Sequence, residues 1–286
     1  MNFCPKALVV ASRTFVWRER TYLMGIINVS PESFAGDGVA GVDAALAQAR
    51  RFVDEGADIL DVGGQSTRPS GAAGKANVAG FDELDAEEEI GRVVPVIERI
   101  VAELGAPVSV DTYKPLVARA ALEAGARMVN DISGFSDGAI AELCVEFGVP
   151  AVVMHNQRGR AFHDVIGDIR AGLEASIAVA EAAGLARERL VLDPGFGFGW
   201  TPEQNVEMLR RLGELCDLGL PLLIGTSRKS TIGSLLGGAP PEDRLLGTAA
   251  TVALAIANGA DIVRVHDVAA MRDVARVADA VVRGRP

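Results

Sequence analysis

One short pattern recurs along this chain: a stretch with helical spacing, a glycine, a β-branched or apolar run, then polar residues. It appears in "FVDEGADILDVGG", "AELGAPVSVDT", "ALEAGARMVNDI", "EFGVPAVVMHN", "AEAAGLARERLVLDPG", "LCDLGLPLLIGTS" and "AIANGADIVRVHD", passing through Gly56, Gly105, Gly125, Gly148, Gly184, Gly219 and Gly259. A glycine just past a helix takes the left-handed backbone that ends it, so each site marks a helix-to-strand junction. With the opening "TYLMGIINV" this gives eight strands, each followed by room for a helix. Eight such units predict a closed parallel α/β barrel, the (β/α)8 TIM barrel. An open doubly wound sheet is the competing arrangement, because it too buries apolar strands between helices. All 286 residues fit one such domain. Within residues 1–20, "LVVASRTFVWRER" predicts a short N-terminal hairpin across the barrel's lower end.

In "DELDAEEEIGRVVPVIERI", Asp85 and Glu88 have the spacing of a capping box, and Ile90, Val93, Val94, Ile97 and Ile100 recur on one helical face. Pro95 inside that face predicts a kink or a break. Two glycine-rich loops stand out, "SPESFAGDGVAG" after the first strand and "STRPSGAAGKANVAGFDELDA" after the second. The second has the length of an active-site lid.

Charge and cysteines narrow the partners. A net charge of −10 without a basic stripe argues against nucleic acid and anionic membranes. Cys4, Cys144 and Cys216 are odd in number and show no C-x-x-C spacing, which points to a reducing cytoplasm rather than a disulfide frame or zinc site. The apolar run near the start is too short for a secretory segment, and no 18-residue apolar stretch follows.

In a barrel of this kind the loops after the strands form the active face, so the residues ending each run belong together. They are Asn28, Asp61, Asp111, Asn130 with Asp131, His155 with Asn156, Asp193, Ser227 to Lys229, and Arg264 with His266 and Asp267. "DIVRVHDV" is the sharpest of these endings, because alternation puts Arg264 and His266 on one face of an apolar strand. Asn28, Arg68, Arg264 and His266 suit a phosphorylated group, which arginine's fork matches. Asp111, Asn130 and Asp193 suit a flat nitrogen heterocycle, with Lys229 between the two sets. Any one aspartate at a strand end is commonly a helix N-cap, so the case rests on the collective placement. A Schiff-base role for Lys229 would need burial or a cationic neighbour to remove its proton, and Arg228 points away if both lie in a strand.

With these endings assembled, the chain resembles the dihydropteroate synthases of the pterin-binding family from about Tyr22 onward. The resemblance rests on "GIINVSPESFAGDG", "DILDVGGQSTRP", "SVDTYK", "MVNDISG", "VVMHN", "LDPGFGFG", "GTSRK" and "RVHDV", in the family's order. It implies a magnesium-dependent transferase of folate biosynthesis. Such an enzyme joins 6-hydroxymethyl-7,8-dihydropterin pyrophosphate to p-aminobenzoate, giving 7,8-dihydropteroate and pyrophosphate by a dissociative route. The family's pattern assigns the pterin ring to Asp111, Asn130, Asp193 and Lys229. It assigns pyrophosphate to Asn28, Arg68, Arg264 and His266, with Asn28 also at the metal. Phe34, Ser66, Thr67, Arg68, Pro69, Phe198 and Ser230 would shape the p-aminobenzoate site with Lys229, and Asp111, Lys229, Arg264 and His266 would carry the catalysis. The family also implies a homodimer. On this view the bound dianion is what neutralises Arg264 inside its strand.

The chain departs from the family's pattern at Gln65, where glutamate is common, and at Trp200, where a lysine follows "GFGFG". The first loop reads "SPESF", where a threonine and an aspartate are commoner, and the second loop is longer than usual. Two rival readings share the fold: a methyltransferase acting from methyltetrahydrofolate to a corrinoid protein, and a non-catalytic pterin-binding paralogue. The first has no use for the pyrophosphate-suited "STRP", "SRK" and "RVHD".

Overall fold

A computed structural model describes residues 7–29, 41–65 and 84–284. Phe34, Ser66, Thr67, Arg68 and Pro69 lie outside the described residues, as do Cys4 and most of both glycine-rich loops.

An antiparallel hairpin comes first, β1 (Ala7–Val10) against β2 (Arg13–Val16). Eight parallel strands follow: β3 (Tyr22–Asn28), β4 (Ile59–Gly63), β5 (Val108–Asp111), β6 (Met128–Asp131), β7 (Ala151–Met154), β8 (Leu190–Asp193), β9 (Leu223–Ile224) and β10 (Ile262–Val265). Strands β3 to β8 pair in chain order, and β10 lies between β3 and β9. A bridge between Leu192 and Leu222 joins β8 to the entry of β9, so the ring closes as a barrel and the open sheet is excluded.

Helices α1 (Val42–Glu55), α2 (Ala86–Leu104), α3 (Pro115–Glu123), α4 (Ala139–Phe147), α5 (Val165–Ala182) and α6 (Pro202–Arg211) follow β3 to β8 in turn. Strand β9 is followed by two, the short α7 (Ser230–Leu235) and α8 (Leu245–Ala257), and β10 by α9 (Val268–Arg283). All seven junction glycines have positive φ, from 59° to 110°. Gly56 shows why. At φ 101° its N–H reaches back to Val53 and the next N–H to Phe52, a turn that a Cβ would strain.

Helix α2 differs from its expectation in two ways. Asp85 is its N-cap, but the carboxylate accepts from Glu87 N–H at 2.9 Å, and Glu88 pairs forward with Arg92 at 2.6 Å instead of closing a box. The helix also runs unbroken through Pro95. Val93, Val96, Ile97 and Ile100 bury the face on either side, so packing outweighs the one lost hydrogen bond.

Inward-facing side chains alternate along every strand and sort into layers. Tyr22, Met24, Ile59, Met128, Val152, Val191, Leu223 and Ile262 make the lower, apolar layer. The hairpin seals it, as its sequence suggested: Leu8, Val10, Phe15 and Trp17 pack into the same cluster, with the Phe15 and Tyr22 rings 4.8 Å apart. Arginines then fix the seal to the strand entries. Arg20 forks onto Asp58 at 2.5 and 3.0 Å, Arg18 meets Asp261 at 3.5 Å, and Arg283 meets Asp279 at 2.8 Å.

Candidate active site

Two residues past Ile59, Met128, Val191 and Ile262 the same inward face turns polar, at Asp61, Asn130, Asp193 and Arg264. Register sets Asp61 beside Ser109, Asp111 beside Asn130, and Asn28 beside Gly63, so these positions meet at the strands' C-terminal end. Arg264 lies at the centre. Its Nε bonds Asp61 Oδ2 at 2.6 Å and its Nη2 bonds Asp111 Oδ2 at 2.6 Å. Asn130 Nδ2 donates to the same Asp61 oxygen at 3.0 Å. Asp61 is fully buried, and its Oδ1 has no hydrogen-bond partner among the described residues.

This overturns one expectation. Arg264 is tolerated in its strand because two carboxylates of the protein neutralise it, not because a bound dianion must. Burial works against its charge, but Asp61 and Asp111 more than offset that and raise its pKa. The expected split into a phosphate set and a ring set is therefore not a split in space. Arg264 is bonded into the carboxylate set, whereas His266 turns to Ser227, with Nδ1 2.9 Å from its Oγ.

Lys229 is the second centre, and it does not lie in a strand. Strand β9 ends at Ile224, and Lys229 is the N-cap of α7. The preceding Arg228 has φ 56°, a left-handed conformation uncommon for any residue with a Cβ, and three contacts hold it there. Its N–H donates to Thr248 Oγ1 at 3.1 Å, its carbonyl accepts from Arg244 at 2.8 Å, and its guanidinium forks onto Asp267 at 2.5 and 3.0 Å. The turn aims Lys229 inward, where Nζ donates to the Phe196 carbonyl and sits 4.7 Å from the Phe198 ring centroid.

The loop after β8 explains "GFGFG". Gly195, Gly197 and Gly199 all have positive φ, and each lies where a Cβ would collide. At Gly195 that atom would fall 1.9 Å from the His155 carbonyl oxygen, and at Gly197 2.9 Å from Lys229 Cδ. The alternating glycines thus let the loop press against both neighbours while Phe198 faces the mouth beside Ile132, Met154 and Tyr113. Asp193 is anchored at its base, Oδ1 accepting the Gly195 N–H at 2.8 Å.

Electrostatics follow from this crowding. Burial is the largest influence on Asp111 and pushes its pKa up to about 7. Asp61 and Glu89 add to the rise, against the pull of Arg264 and Lys229. Burial likewise raises Asp193, with Lys229 opposing. Lys229 is lowered to about 8, mainly by burial and also by Arg264 and Arg158, with Asp193 resisting. Two buried carboxyls, when ionised, can stabilise positive charge on a bound ring.

The structure thus brings Asp111, Asn130, Asp193, Lys229, Arg264 and Phe198 to one mouth, with Asn28 half-buried at the end of β3 on the same side. Ser230 is exposed at the start of α7. His155 and Trp200 point elsewhere. His155 is buried against Gln157 and the Trp200 ring, 5.7 Å away between centroids, and Trp200 completes that packing against Phe162. Gln65 accepts from Lys114 Nζ at 2.7 Å, and that ammonium is already paired with the buried Glu89 at 2.8 Å. A neutral amide at 65 therefore leaves no cation without its counter-charge.

Asp61 stands among the strand endings but had no assigned role. Its place two residues past the inward Ile59 is the signal that marks it as Arg264's partner across the barrel. Among the described residues no group of three or more His, Cys, Asp or Glu side chains could hold a metal ion.

Fold and mouth together define a parallel α/β barrel whose strand ends gather carboxylates, an amide, an arginine and a lysine at one mouth. Residues 24–266 match the family model described as "Pterin binding enzyme". The dihydropteroate synthase of Synechocystis sp. is 43% identical, over 99% of this chain and 97% of that protein. Among solved structures, the Xanthomonas albilineans dihydropteroate synthase with 4-aminobenzoic acid is 44% identical, with TM-score 0.87 over 96% of this chain and 98% of that one. The same enzyme in complex with 7,8-dihydropteroate superposes with TM-score 0.83 at 40% identity over 96% and 98%. The chain belongs to the pterin-binding enzyme family and, within it, to the dihydropteroate synthases.

Proposed function

We propose that this chain is a transferase of folate biosynthesis that condenses 6-hydroxymethyl-7,8-dihydropterin pyrophosphate with p-aminobenzoate. The products are 7,8-dihydropteroate and pyrophosphate. The observation that carries the reading is Arg264 held between Asp61 and Asp111 at the floor of a mouth that also holds Asn130, Asp193 and Lys229. Amide, carboxylates and ammonium supply the donors and acceptors that a fused pyrimidine ring demands.

The route is dissociative. The bond from the exocyclic CH₂ to the diphosphate oxygen breaks, and pyrophosphate leaves with the electron pair. The positive charge left on the CH₂ spreads into the ring, and the arylamine nitrogen then attacks and sheds a proton. Asp111 and Asp193, ionised, lower the energy of the cationic ring. The departing anion is assigned to His266 and to Arg264, whose charge Asp61 and Asp111 already balance in the free protein, and the arylamine to Lys229 with Phe198. Phe34, Ser66, Thr67, Arg68 and Pro69, which lie outside the described residues, are proposed as substrate-binding residues.

A magnesium ion is part of the proposal, with Asn28 as its protein ligand. The donor set fits a hard cation held mostly by substrate oxygens and water, since Asn28 offers one amide oxygen and among the described residues there is no cluster of metal-binding carboxylates. When bound, it supplies charge neutralisation to the leaving diphosphate. A homodimer and a cytoplasmic location complete the reading. Leu246, Leu254, Val277 and Val281 are exposed along α8 and α9, which suits a self-complementary face. No helix among the described residues is long and apolar enough to cross a membrane. Cys144 and Cys216 are free thiols.

The test is pyrophosphate release that requires both substrates and is abolished by chelation of divalent cations. Release without p-aminobenzoate, or binding of the pterin with no dihydropteroate formed, would remove the transferase assignment.

A further inference from the structure

The two glycines in "DVGGQ" make a wall without side chains between two carboxylates. On its inner side a Cβ at Gly63 would lie 3.4 Å from Asp111 Cβ and 3.7 Å from its Oδ2. On its outer side a Cβ at Gly64 would fall 2.9 Å from Glu89 Cγ, in α2. Glu89 is thus pressed against β4 from the helix layer, at 1% exposure. A carboxylate buried this deeply needs a cation. Lys114, which caps α3 three residues past Asp111, supplies it at 2.8 Å. The same ammonium donates to Gln65 Oε1 at 2.7 Å and to the Leu84 carbonyl, just before the cap of α2. The Lys114 N–H bonds Thr112 Oγ1 at 3.2 Å, and the Thr112 N–H bonds the Asn130 carbonyl at 3.1 Å. Arg92, one turn along α2, donates to the Gly64 carbonyl at 2.9 Å, and its charge is matched by Glu88. One lysine therefore ties the end of β4, the start of α2 and the turn after Asp111 into a unit.

We infer that Lys114 and Glu89 are positioning residues for the reaction: from outside the barrel, across the Gly63–Gly64 wall, they hold the turn that carries Asp111 and set the charge that faces it. The kinetic consequence rests on the transferase reading above. The charges acting on Asp111 come from Arg264 on β10, Asp61 on β4, Lys229 at the start of α7 and Glu89 on α2. Arg264, Asp61 and Lys229 belong to the mouth, so changing any of them changes the site directly. Glu89 lies behind the wall, yet its charge still adds to the rise of the Asp111 pKa to about 7. Lys114, 2.8 Å from Glu89, opposes that charge. The balance of the pair can therefore be altered without touching a mouth residue. The rival role for the pair is bracing alone, in which its charges do not reach Asp111.

Two pH titrations separate these roles. Glu89→Gln keeps the shape and the hydrogen bond to Lys114 but removes the negative charge and leaves the lysine unbalanced. Both changes favour the Asp111 carboxylate. The limb of kcat/KM near pH 7, followed by pyrophosphate release with magnesium present, should move down by about half a pH unit or more. Adding Lys114→Met to that variant removes both charges and should bring the limb back to within about 0.2 of wild type. The carboxyl carbon of Asp111, followed by NMR in 13C-labelled protein without substrates and assigned with Asp111→Asn, should show the same displacement and the same return. A Glu89→Gln protein that loses activity at every pH with limb and carboxyl midpoint unmoved would overturn the inference in favour of bracing. Failure of the wild type to release pyrophosphate would bring down the transferase reading alone, because the carboxyl titration needs no turnover.

Discussion

The two ends of the barrel are built from the same strands and handle buried charge in opposite ways. At the closed end, Asp58, Asp261 and Asp279 each meet an arginine, and each also accepts from backbone N–H groups, of Leu23, Leu222 and Thr21 respectively. At the mouth a single guanidinium serves both Asp61 and Asp111, and one oxygen of Asp61 has no hydrogen-bond partner among the described residues. At the closed end each of these three carboxylates has both a cation and a backbone donor. The mouth is left strained in charge, which costs stability and leaves interactions for a cationic ring and an anionic tail to complete.

The largest effect should come from removing the shared guanidinium. Arg264→Ala leaves Asp61 and Asp111 buried without their cation, so we expect a loss of about 3–5 kcal/mol in urea unfolding at pH 8. Turnover measured by pyrophosphate release should fall about a thousandfold. Wild-type stability in this variant would mean that the mouth is no more strained than the closed end.

Next comes a break at the closed end. Phe15→Ala removes a fully buried ring from the cluster under Tyr22 and Trp17 and should cost about 3–5 kcal/mol in the same unfolding measurement. Its kcat/KM below the melting transition should match wild type, because the hairpin packs on the lower apolar layer, at the opposite end of the strands from the mouth. A change in kcat at full folding would show that the two ends are coupled through the strands.

How much of this contrast was legible beforehand depended on whether local rules or packing decided a position. The seven glycine junctions and the polar strand endings are local consequences of helix termination and alternation, and they placed Asp111, Asn130, Asp193 and Arg264 at one mouth. The pairing of Arg264 with Asp61 depends on two strands that meet only when the ring closes, so no window of sequence contains it. Lys229 was misplaced for a related reason. β9 is only Leu223–Ile224, and the turn at Arg228 is held by Thr248, Arg244 and Asp267, which arrive from distant elements. The capping box failed because Glu88 had a better partner four residues ahead in Arg92.

The smallest expected effect is the most specific, because the contrast predicts opposite signs for stability and turnover across one pH window. Asp111 is raised from an ordinary carboxylate value to about 7, so the folded chain binds its proton more tightly than the unfolded chain does. The resulting stabilisation is complete near pH 4 and is lost as pH rises to about 7. Lys229, lowered to about 8, acts in a separate window, stabilising above its unfolded value and losing that as pH falls through 8. Turnover needs the Asp111 carboxylate beside the cationic ring, so kcat/KM should rise over the range in which stability falls. Asp193 is also raised by burial and contributes in the same direction, which is why the comparison must be made against Asp111→Asn. That variant should lose the limb near pH 7 in kcat/KM. It should also flatten the stability difference between pH 5 and 8 by about 1 kcal/mol or more, since one unit of differential protonation already carries that much. Parallel stability profiles for the two proteins would mean that Asp111 ionises in the free enzyme as readily as in the unfolded chain, and the mouth would then be as well satisfied as the sealed end.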